Sequence, residues 1–127
     1  MCLLDGVLDW DLEHVRCVSR SHHHVDHPLR ARGQLSAVCG IEIAAQSVAV
    51  HGALLATGAD PPRRTGYLAA LRNVSVHVAR LDDIAADLIA LAYCLGRNDS
   101  TFRYEFSLAA DARILLSGNA TVILEPL

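Results

Sequence analysis

Alternation of apolar and polar residues is the clearest local pattern in this chain, and it predicts short β-strands. It is strongest at 101–106, where Phe102, Tyr104 and Phe106 fall on one face of an extended segment. The predicted strands cover residues 3–10, 14–20, 66–74, 88–94, 101–109 and 114–124. The alternating segment 74–80 would extend the third of them.

A different pattern fills residues 36–57, which are rich in Ala and long enough for about six helical turns. Ser36 is placed as an N-cap, and Gly58 as the glycine that follows the end of a helix. Apolar residues lie on every side of this helix, namely Val38, Ile41, Ile43, Ala45, Val48, Val50 and Leu54. A helix that is apolar all round is normally surrounded by protein, so we expect it to be buried on all sides.

The order of these elements predicts the fold class. Two strands, a loop at 21–35 and one helix are followed by an exposed connection at 59–65 and four more strands. Strands joined by short turns form an antiparallel sheet, and a single apolar helix is buried if that sheet wraps it. We expect one α+β domain over residues 1–127, with an antiparallel sheet wrapped around one long central helix.

Composition narrows the function classes. The 127 residues include no Lys and 11 Arg against 14 acidic residues, for a net charge of −3, which disfavours nucleic acid as a partner. The opening residues carry Asp5, Asp9 and Asp11 and do not fit a signal peptide. The longest stretch without Asp, Glu or Arg, 43–59, is too polar and slightly short for a membrane span. We predict a cytoplasmic protein that binds no membrane.

Cysteine and histidine spacing argues against a metal site. Cys2, Cys17, Cys39 and Cys94 form no Cys-x-x-Cys pair, and small apolar core residues are the simpler interpretation. In the run at 22–24 only the first and third His could converge, so a solvated loop is expected there. His51 is expected to be a buried His with its hydrogen bonds satisfied, and His77 to lie on the solvent face of a strand.

Two residues are candidates for acid–base chemistry. Glu42 lies among apolar residues of the helix, so it has either a partner or a raised pKa, unless its place near the helix start leaves it partly solvated. His27 lies fifteen positions upstream and precedes Pro28, which favours an extended loop conformation. It is either a proton acceptor near neutral pH or a structural loop residue.

These residues carry a resemblance to a known family. The segment His27-Pro28-Leu29, followed by Gly40-Ile41-Glu42-Ile43-Ala44-Ala45-Gln46, resembles the active-site stretch of hot-dog-fold 3-hydroxyacyl-(acyl carrier protein) dehydratases. In these enzymes a loop His precedes a central helix with Glu-x-x-x-Gln. The opening Met1-Cys2-Leu3-Leu4-Asp5-Gly6-Val7-Leu8 is similar to their first strand. The likeness is greater to the dehydratase-like proteins of aryl polyene and type II fatty acid or polyketide systems.

The resemblance implies a hot-dog fold and dehydration of a 3-hydroxyacyl thioester to the trans-2-enoyl thioester, without cofactor or metal. His27 would remove the C2 proton, and Glu42 would orient or protonate the leaving 3-hydroxyl. N–H groups near Gly40 would polarise the thioester carbonyl, and Gln46 would support the site from the helix. The substrate would be bound to acyl carrier protein or coenzyme A. The two catalytic side chains would come from opposite subunits of a homodimer or heterodimer.

Two features of the loop after His27 bear on the activity, and two alternatives to a dehydratase stay open. In the better-known dehydratases the His is followed by Phe-Pro-Gly, where this chain has Pro28-Leu29-Arg30. Arg30 and Arg32 are either contacts for the carrier protein or pantetheine, or ordinary solvated loop residues. The alternatives to a dehydratase are a hot-dog subunit of low activity that stabilises another dehydratase, and an acyl thioesterase that uses its carboxylate to activate water.

Overall fold

The structure is a computed structural model, and it describes residues 2–55 and 66–124. It contains one long helix, a short 3₁₀ helix and six strands. The strands are β1 (Gly6–Trp10), β2 (His14–Ser19), β3 (Gly66–Val76), β4 (Leu88–Arg97), β5 (Thr101–Ala110) and β6 (Arg113–Leu124). The long helix, α1, spans Cys39–Leu55, and the 3₁₀ helix spans Ser21–His23.

All six strands form one antiparallel sheet in the order β1-β2-β4-β5-β6-β3. The predicted strands are thus confirmed, with β4 longer than expected and β3 ending at Val76, which leaves His77 exposed just beyond it. The predicted shared face of β5 is confirmed as well, since Tyr104 and Phe106 are buried and Phe102 is half-buried against the same core. The short β1 and the long β3 are the two edges of the sheet.

Helix α1 packs on one face of this sheet, mainly against β2, β4 and β5. The helical residues that contact the sheet are Gly40, Ile43, Ala44, Ser47, Val48 and His51. The opposite side of the helix is exposed at Glu42, Ala49 and Ala53. The expectation of a helix buried on all sides is therefore wrong for the single chain, because one sheet can cover only one side of a helix.

The helix also begins later than the sequence indicates. Ser36 lies in a bridge to Arg80, and its hydroxyl accepts a hydrogen bond from the Val38 N–H (3.3 Å), so Ser36 caps a turn that precedes the helix. The backbone of this turn is held by the Ala37 N–H, which donates to the Ala79 carbonyl (3.0 Å). The predicted helix end at Thr57, Gly58 and the connection at 59–65 lie outside the described residues.

His51 is buried with both ring nitrogens satisfied, as predicted. Its Nε2 lies 2.9 Å from the Asp11 carbonyl, which can only accept, so the ring proton is on Nε2. Its Nδ1 then accepts from the Tyr104 hydroxyl at 2.7 Å. This pair ties the middle of the helix to β5 and to the β1–β2 turn, and it is a structural contact distant from the helix start.

Two helical glycines allow a matched test of this packing. A Cβ at Gly40 would lie 2.8 Å from methyl carbons of both Leu108 and Leu116, which are fully buried, whereas a Cβ at Gly52 meets nothing within 4 Å. We expect Gly40→Ala to lower the free energy of unfolding by about 1–3 kcal/mol through overpacking. Gly52→Ala should raise it by about 0.5–1 kcal/mol through helix propensity. Urea unfolding of both variants measures this, and equal stabilities would contradict the packing.

Candidate active site

A pocket of about 260 Å³ lies between the N-terminal segment and the loop that precedes the helix. It is lined by Cys2, Leu3, Leu4, Asp5, Ser21, His24, Asp26, His27 and Pro28. The volume is below the roughly 300–1,000 Å³ of pockets that hold drug-sized ligands. In the single chain the pocket therefore suits a small ligand or one part of a larger ligand.

His27 is a buried wall of this pocket, only 5% exposed. Its Nδ1 accepts a hydrogen bond from the Leu29 N–H at 3.0 Å, while its Nε2 is buried and has no protein partner in the described residues. Burial lowers the pKa of His27, and Arg30 and His24 add to this effect. The ring is therefore neutral near pH 7, and because Nδ1 accepts, its single proton lies on Nε2.

Glu42 lies in the first turn of α1 with its side chain exposed. Of the alternatives expected for a helical carboxylate, the solvated position near the helix start is the one observed, where the helix dipole favours negative charge. Its Oε1 accepts a hydrogen bond from Gln46 Nε2 at 3.3 Å, one turn along the helix. Gln46 therefore orients the carboxylate.

Gln46 also connects Glu42 to the pocket. Its Oε1 accepts a hydrogen bond from the Leu3 N–H at 2.7 Å, and Leu3 is a buried wall of the pocket. Glu42 itself does not line the pocket that His27 lines. Within one chain, the structure thus places the two predicted catalytic residues beside the same N-terminal segment without bringing them into one cavity.

The helix start at Gly40 is internally bonded. The Gly40 N–H donates to the Ala37 carbonyl at 2.9 Å, and the Cys39 and Ile41 N–H groups donate to residues three positions earlier at 3.0 Å. These groups offer the positive end of the helix dipole, but their hydrogens are already engaged in this state. What the structure shows for Gly40 is a packing requirement, since a side chain there would collide with the sheet.

The two loop arginines differ in their surroundings. Arg30 is half-buried, and its guanidinium donates to the carbonyls of His22 (2.9 Å) and Gly33 (2.8 Å), so it braces the loop from inside. Arg32 is exposed and has a left-handed backbone with φ of 55°. Of the two, Arg32 is the residue placed to meet a partner in solution.

The expectation of a solvated His22 is wrong. His22 is fully buried, and its Nε2 lies 3.1 and 3.0 Å from the carbonyls of Ile84 and Ala86, while His23 and His24 are exposed. Burial lowers the pKa of His22, with His23 adding to the effect. Among residues 2–55 and 66–124, no three His, Cys, Asp or Glu side chains are grouped as a metal site would require.

Sequence reasoning missed the backbone contribution to the site. The N–H groups of Leu3 and Leu29 hold Gln46 and His27, respectively, and the side chains of Leu3 and Leu29 give no indication of that role in the sequence.

The burial of the cysteines differs from one to another: Cys17 is buried as expected, whereas Cys2 is exposed and lines the pocket. In the part of the chain described, no helix is long and apolar enough to cross a bilayer.

Several solved structures share this fold. The dehydratase heterocomplex ApeI:P from Xenorhabdus doucetiae matches with a TM-score of 0.83 and 21% identity, over 98% of this chain and 83% of that chain. A thioesterase from Pseudomonas aeruginosa matches with a TM-score of 0.70 and 17% identity, over 95% of this chain and 81% of that chain. A thioesterase from Staphylococcus aureus matches with a TM-score of 0.72 and 17% identity, over 95% of this chain and 93% of that chain. These likenesses confirm the hot-dog fold.

No curated protein sequence matches the chain. A family model described as ApeP dehydratase matches residues 1–126, nearly the whole length. The loop His, the helical Glu and the sheet around one helix are the features on which the predicted resemblance depended. The chain belongs to the ApeP-like dehydratase family.

Proposed function

We propose that this protein removes water from a 3-hydroxyacyl thioester to give the trans-2-enoyl thioester, acting in the cytoplasm on an acyl group held by acyl carrier protein. The observation that carries the proposal is the buried His27, which is neutral, lines the pocket and has an Nε2 atom without a protein partner in the described residues. A neutral imidazole next to a narrow cavity is suited to proton transfer near neutral pH. Membership of a dehydratase family supports the reaction class.

In this reaction His27 takes the C2 proton and Glu42 assists departure of the 3-hydroxyl. In the structure Nε2 of His27 carries the ring proton, and Nδ1 accepts a hydrogen bond from the Leu29 N–H, so neither nitrogen has a free lone pair. The ring must therefore break its contact with Leu29 before it can accept the C2 proton. The positive end of the α1 dipole, near Gly40, favours the charge that develops on the thioester oxygen. Arg32 provides a charge for the phosphopantetheine or the carrier protein.

Completion of the site requires a second hot-dog subunit, of the same or another sequence. Edge strand β3 exposes Tyr67, Leu68, Leu71, Val74 and Val76. A long edge strand with exposed apolar residues readily pairs with another strand. The exposed side of α1 offers a second apolar surface, with Val38 just before it 60% exposed. A partner on these surfaces would bring its own His to Glu42, and the similarity to the dehydratase heterocomplex ApeI:P supports such an assembly.

Hydrolysis of the thioester is less well supported than dehydration. The Staphylococcus aureus thioesterase was solved with replacements at a Gln and at a Glu that are fifteen positions apart, the spacing of His27 and Glu42. An amide can bind a carbonyl but cannot take up a proton near neutral pH, whereas an imidazole can. Because this chain has His27 at the first of the two positions, proton abstraction, and hence dehydration, is favoured over hydrolysis.

One observation favours a second candidate function. The hydrogen bond from Leu29 holds His27 in the form whose Nε2 is a donor, and a chain locked in this form could not act as the base. Such a chain would stabilise a catalytically competent hot-dog partner and shape its acyl tunnel.

The first test is mass spectrometry of a 3-hydroxyacyl carrier protein incubated with the protein. We expect loss of one water. His27→Ala and Glu42→Gln should each reduce the rate by about 10²–10⁴-fold, the usual contribution of a general acid or base. His77→Ala, which removes an exposed His beyond β3, is the matched control and should leave the rate unchanged. An unchanged rate in His27→Ala would assign proton abstraction to another residue, no loss of water with the unaltered protein would favour the supporting role, and release of free thiol would indicate a thioesterase.

The second test is NMR titration of the His27 ring in ¹⁵N-labelled protein. Because burial lowers the pKa of His27, we expect its midpoint below the usual value of about 6.5, with the proton on Nε2 in the neutral form. His27 then contributes to stability above about pH 6.5, and this contribution is lost as the pH falls through the lowered midpoint. His14, whose pKa Asp9 and Asp11 raise, is the internal control and should titrate above 6.5. A proton on Nδ1 would contradict the contact with Leu29.

The third test concerns the partner surface. We expect the purified chain to sediment as a dimer, and Leu71→Lys on β3 to convert it to monomers, because the charge would be buried against the second strand. Leu12→Lys, at an even more exposed apolar residue beside the other edge, should leave the dimer intact. Loss of the dimer in both variants, or in neither, would show that β3 is not the surface used.

A further inference from the structure

His22 is fully buried in the segment that leads to His27, and the proposed dehydration gives it no role. Its Nε2 lies 3.1 Å from the Ile84 carbonyl and 3.0 Å from the Ala86 carbonyl. Carbonyl oxygens only accept hydrogen bonds, so Nε2 carries the ring proton and donates it to both. Both carbonyls belong to the connection between β3 and β4, so the His22 ring anchors the loop before α1 to that connection.

The other ring nitrogen of His22, Nδ1, is buried and has no hydrogen-bond partner among the described residues. A second ring proton would therefore have no acceptor. Burial lowers the pKa of His22, and His23, whose ring centroid lies 3.8 Å from that of His22, adds to this effect, whereas the two carbonyls and Asp87 oppose it. The ring is thus neutral near pH 7 and donates a single hydrogen.

Hydrogen bonds connect this anchor to His27. The His22 carbonyl accepts from the Arg30 guanidinium at 2.9 Å, and the Arg30 backbone N–H donates to the His27 carbonyl at 3.0 Å. On the other side, the His27 N–H donates to the His24 carbonyl at 3.1 Å. The backbone of His27 is thus held at both its N–H and its carbonyl, within a loop that the His22 ring attaches to the rest of the fold.

The neighbouring His23 provides a comparison. Its Nε2 lies 2.9 Å from the same Ile84 carbonyl, but its side chain is exposed. Water replaces the contact of an exposed ring at little cost, whereas loss of a buried donor leaves its acceptors without a partner and costs more. The anchor is therefore expected at His22 and not at His23.

We propose that His22 is a positioning residue for His27, because the buried hydrogen bonds from its ring to Ile84 and Ala86 fix the loop that sets the His27 backbone. A loop fixed in this way keeps His27 in the pocket wall while its ring exchanges the contact with Leu29 for one with substrate. Displacement of a catalytic group by about 1 Å is enough to lower a rate by about 10²-fold. The effect on the rate rests on the proposed function, whereas the effect on the position of His27 does not.

The test compares His22→Gln with His22→Asn. The amide nitrogen of Gln lies the same number of bonds from Cα as Nε2 of His, so it reaches the two carbonyls, whereas the Asn side chain is too short. In His22→Asn we expect the Leu29 amide to exchange with solvent about tenfold or more faster, because a buried hydrogen bond is lost. The ¹⁵N signals of the His27 ring should also leave the positions of the Nε2-protonated form. His22→Gln should keep both properties, and the matched control His23→Asn should change neither.

The rate of dehydration gives a second readout. We expect kcat to fall about tenfold or more in His22→Asn and to return in His22→Gln, the pattern of a positioning residue. Equal behaviour of the two variants, or His27 signals that stay unchanged in His22→Asn, would overturn the proposal. If the unaltered protein removes no water, the proposed function fails, and the NMR data still decide on His22.

Hydrogen exchange in the unaltered protein decides the question if His22→Asn does not fold. An anchor and the loop that it holds open together as one unit. We expect the His22 Nε2–H and the backbone N–H groups of His27 and Arg30 to share one opening equilibrium. Exchange of these backbone groups through openings that leave the His22 ring proton protected would show that the loop moves independently of the anchor, and the proposal would then be wrong.

Discussion

The dominant constraint in this molecule is that one helix, apolar on every side, has only one sheet to cover it. Helix α1 buries Ile43, Ala44 and Val48 against the sheet and leaves its other side in solvent. Burial of that side would be favourable by roughly 25 cal/mol for each Å² of apolar surface removed from water. The same side carries Glu42. A second subunit that covers the helix would therefore stabilise the fold and enclose the carboxylate at once, so assembly and catalysis are coupled in the proposed function.

The N-terminal segment is the second element on which the site depends. Leu3 is held by Gln46 from the helix and by Ser19 from β2, and it lines the pocket of His27, which Glu42 does not line. Gln46 consequently has two roles, because its carbonyl positions the segment and its amide orients the carboxylate. This dual role explains why a Gln serves here: a Glu would lose the donor, and a Lys would lose the acceptor.

Much of the fold could be predicted from sequence, because period-2 and helical patterns report directly on burial. All six strands, the shared face of Tyr104 and Phe106 and the buried His51 followed from such patterns. The exposure of one side of α1 could not be predicted in this way, since a pattern shows that a surface is apolar and does not show which chain covers it. His22 was mispredicted for a related reason: its partners are backbone carbonyls of Ile84 and Ala86, more than sixty residues away, and no local pattern encodes them.

The residues of the candidate site can be proposed from the sequence, whereas their chemistry depends on contacts that the sequence pattern does not encode. Residue type and spacing single out His27 and Glu42 as candidates, but which nitrogen of an imidazole carries the proton depends on the atom that faces Nδ1. A carbonyl there would leave Nε2 free to accept a proton, whereas the Leu29 N–H observed here leaves Nε2 as a donor. The loop His27-Pro28-Leu29-Arg30 departs from the Phe-Pro-Gly of better-known dehydratases at this point, and Arg30 braces it through two carbonyls. Under the proposed function, the difference between an active dehydratase and a supporting subunit thus depends on one backbone N–H and on how easily its contact with the ring is broken.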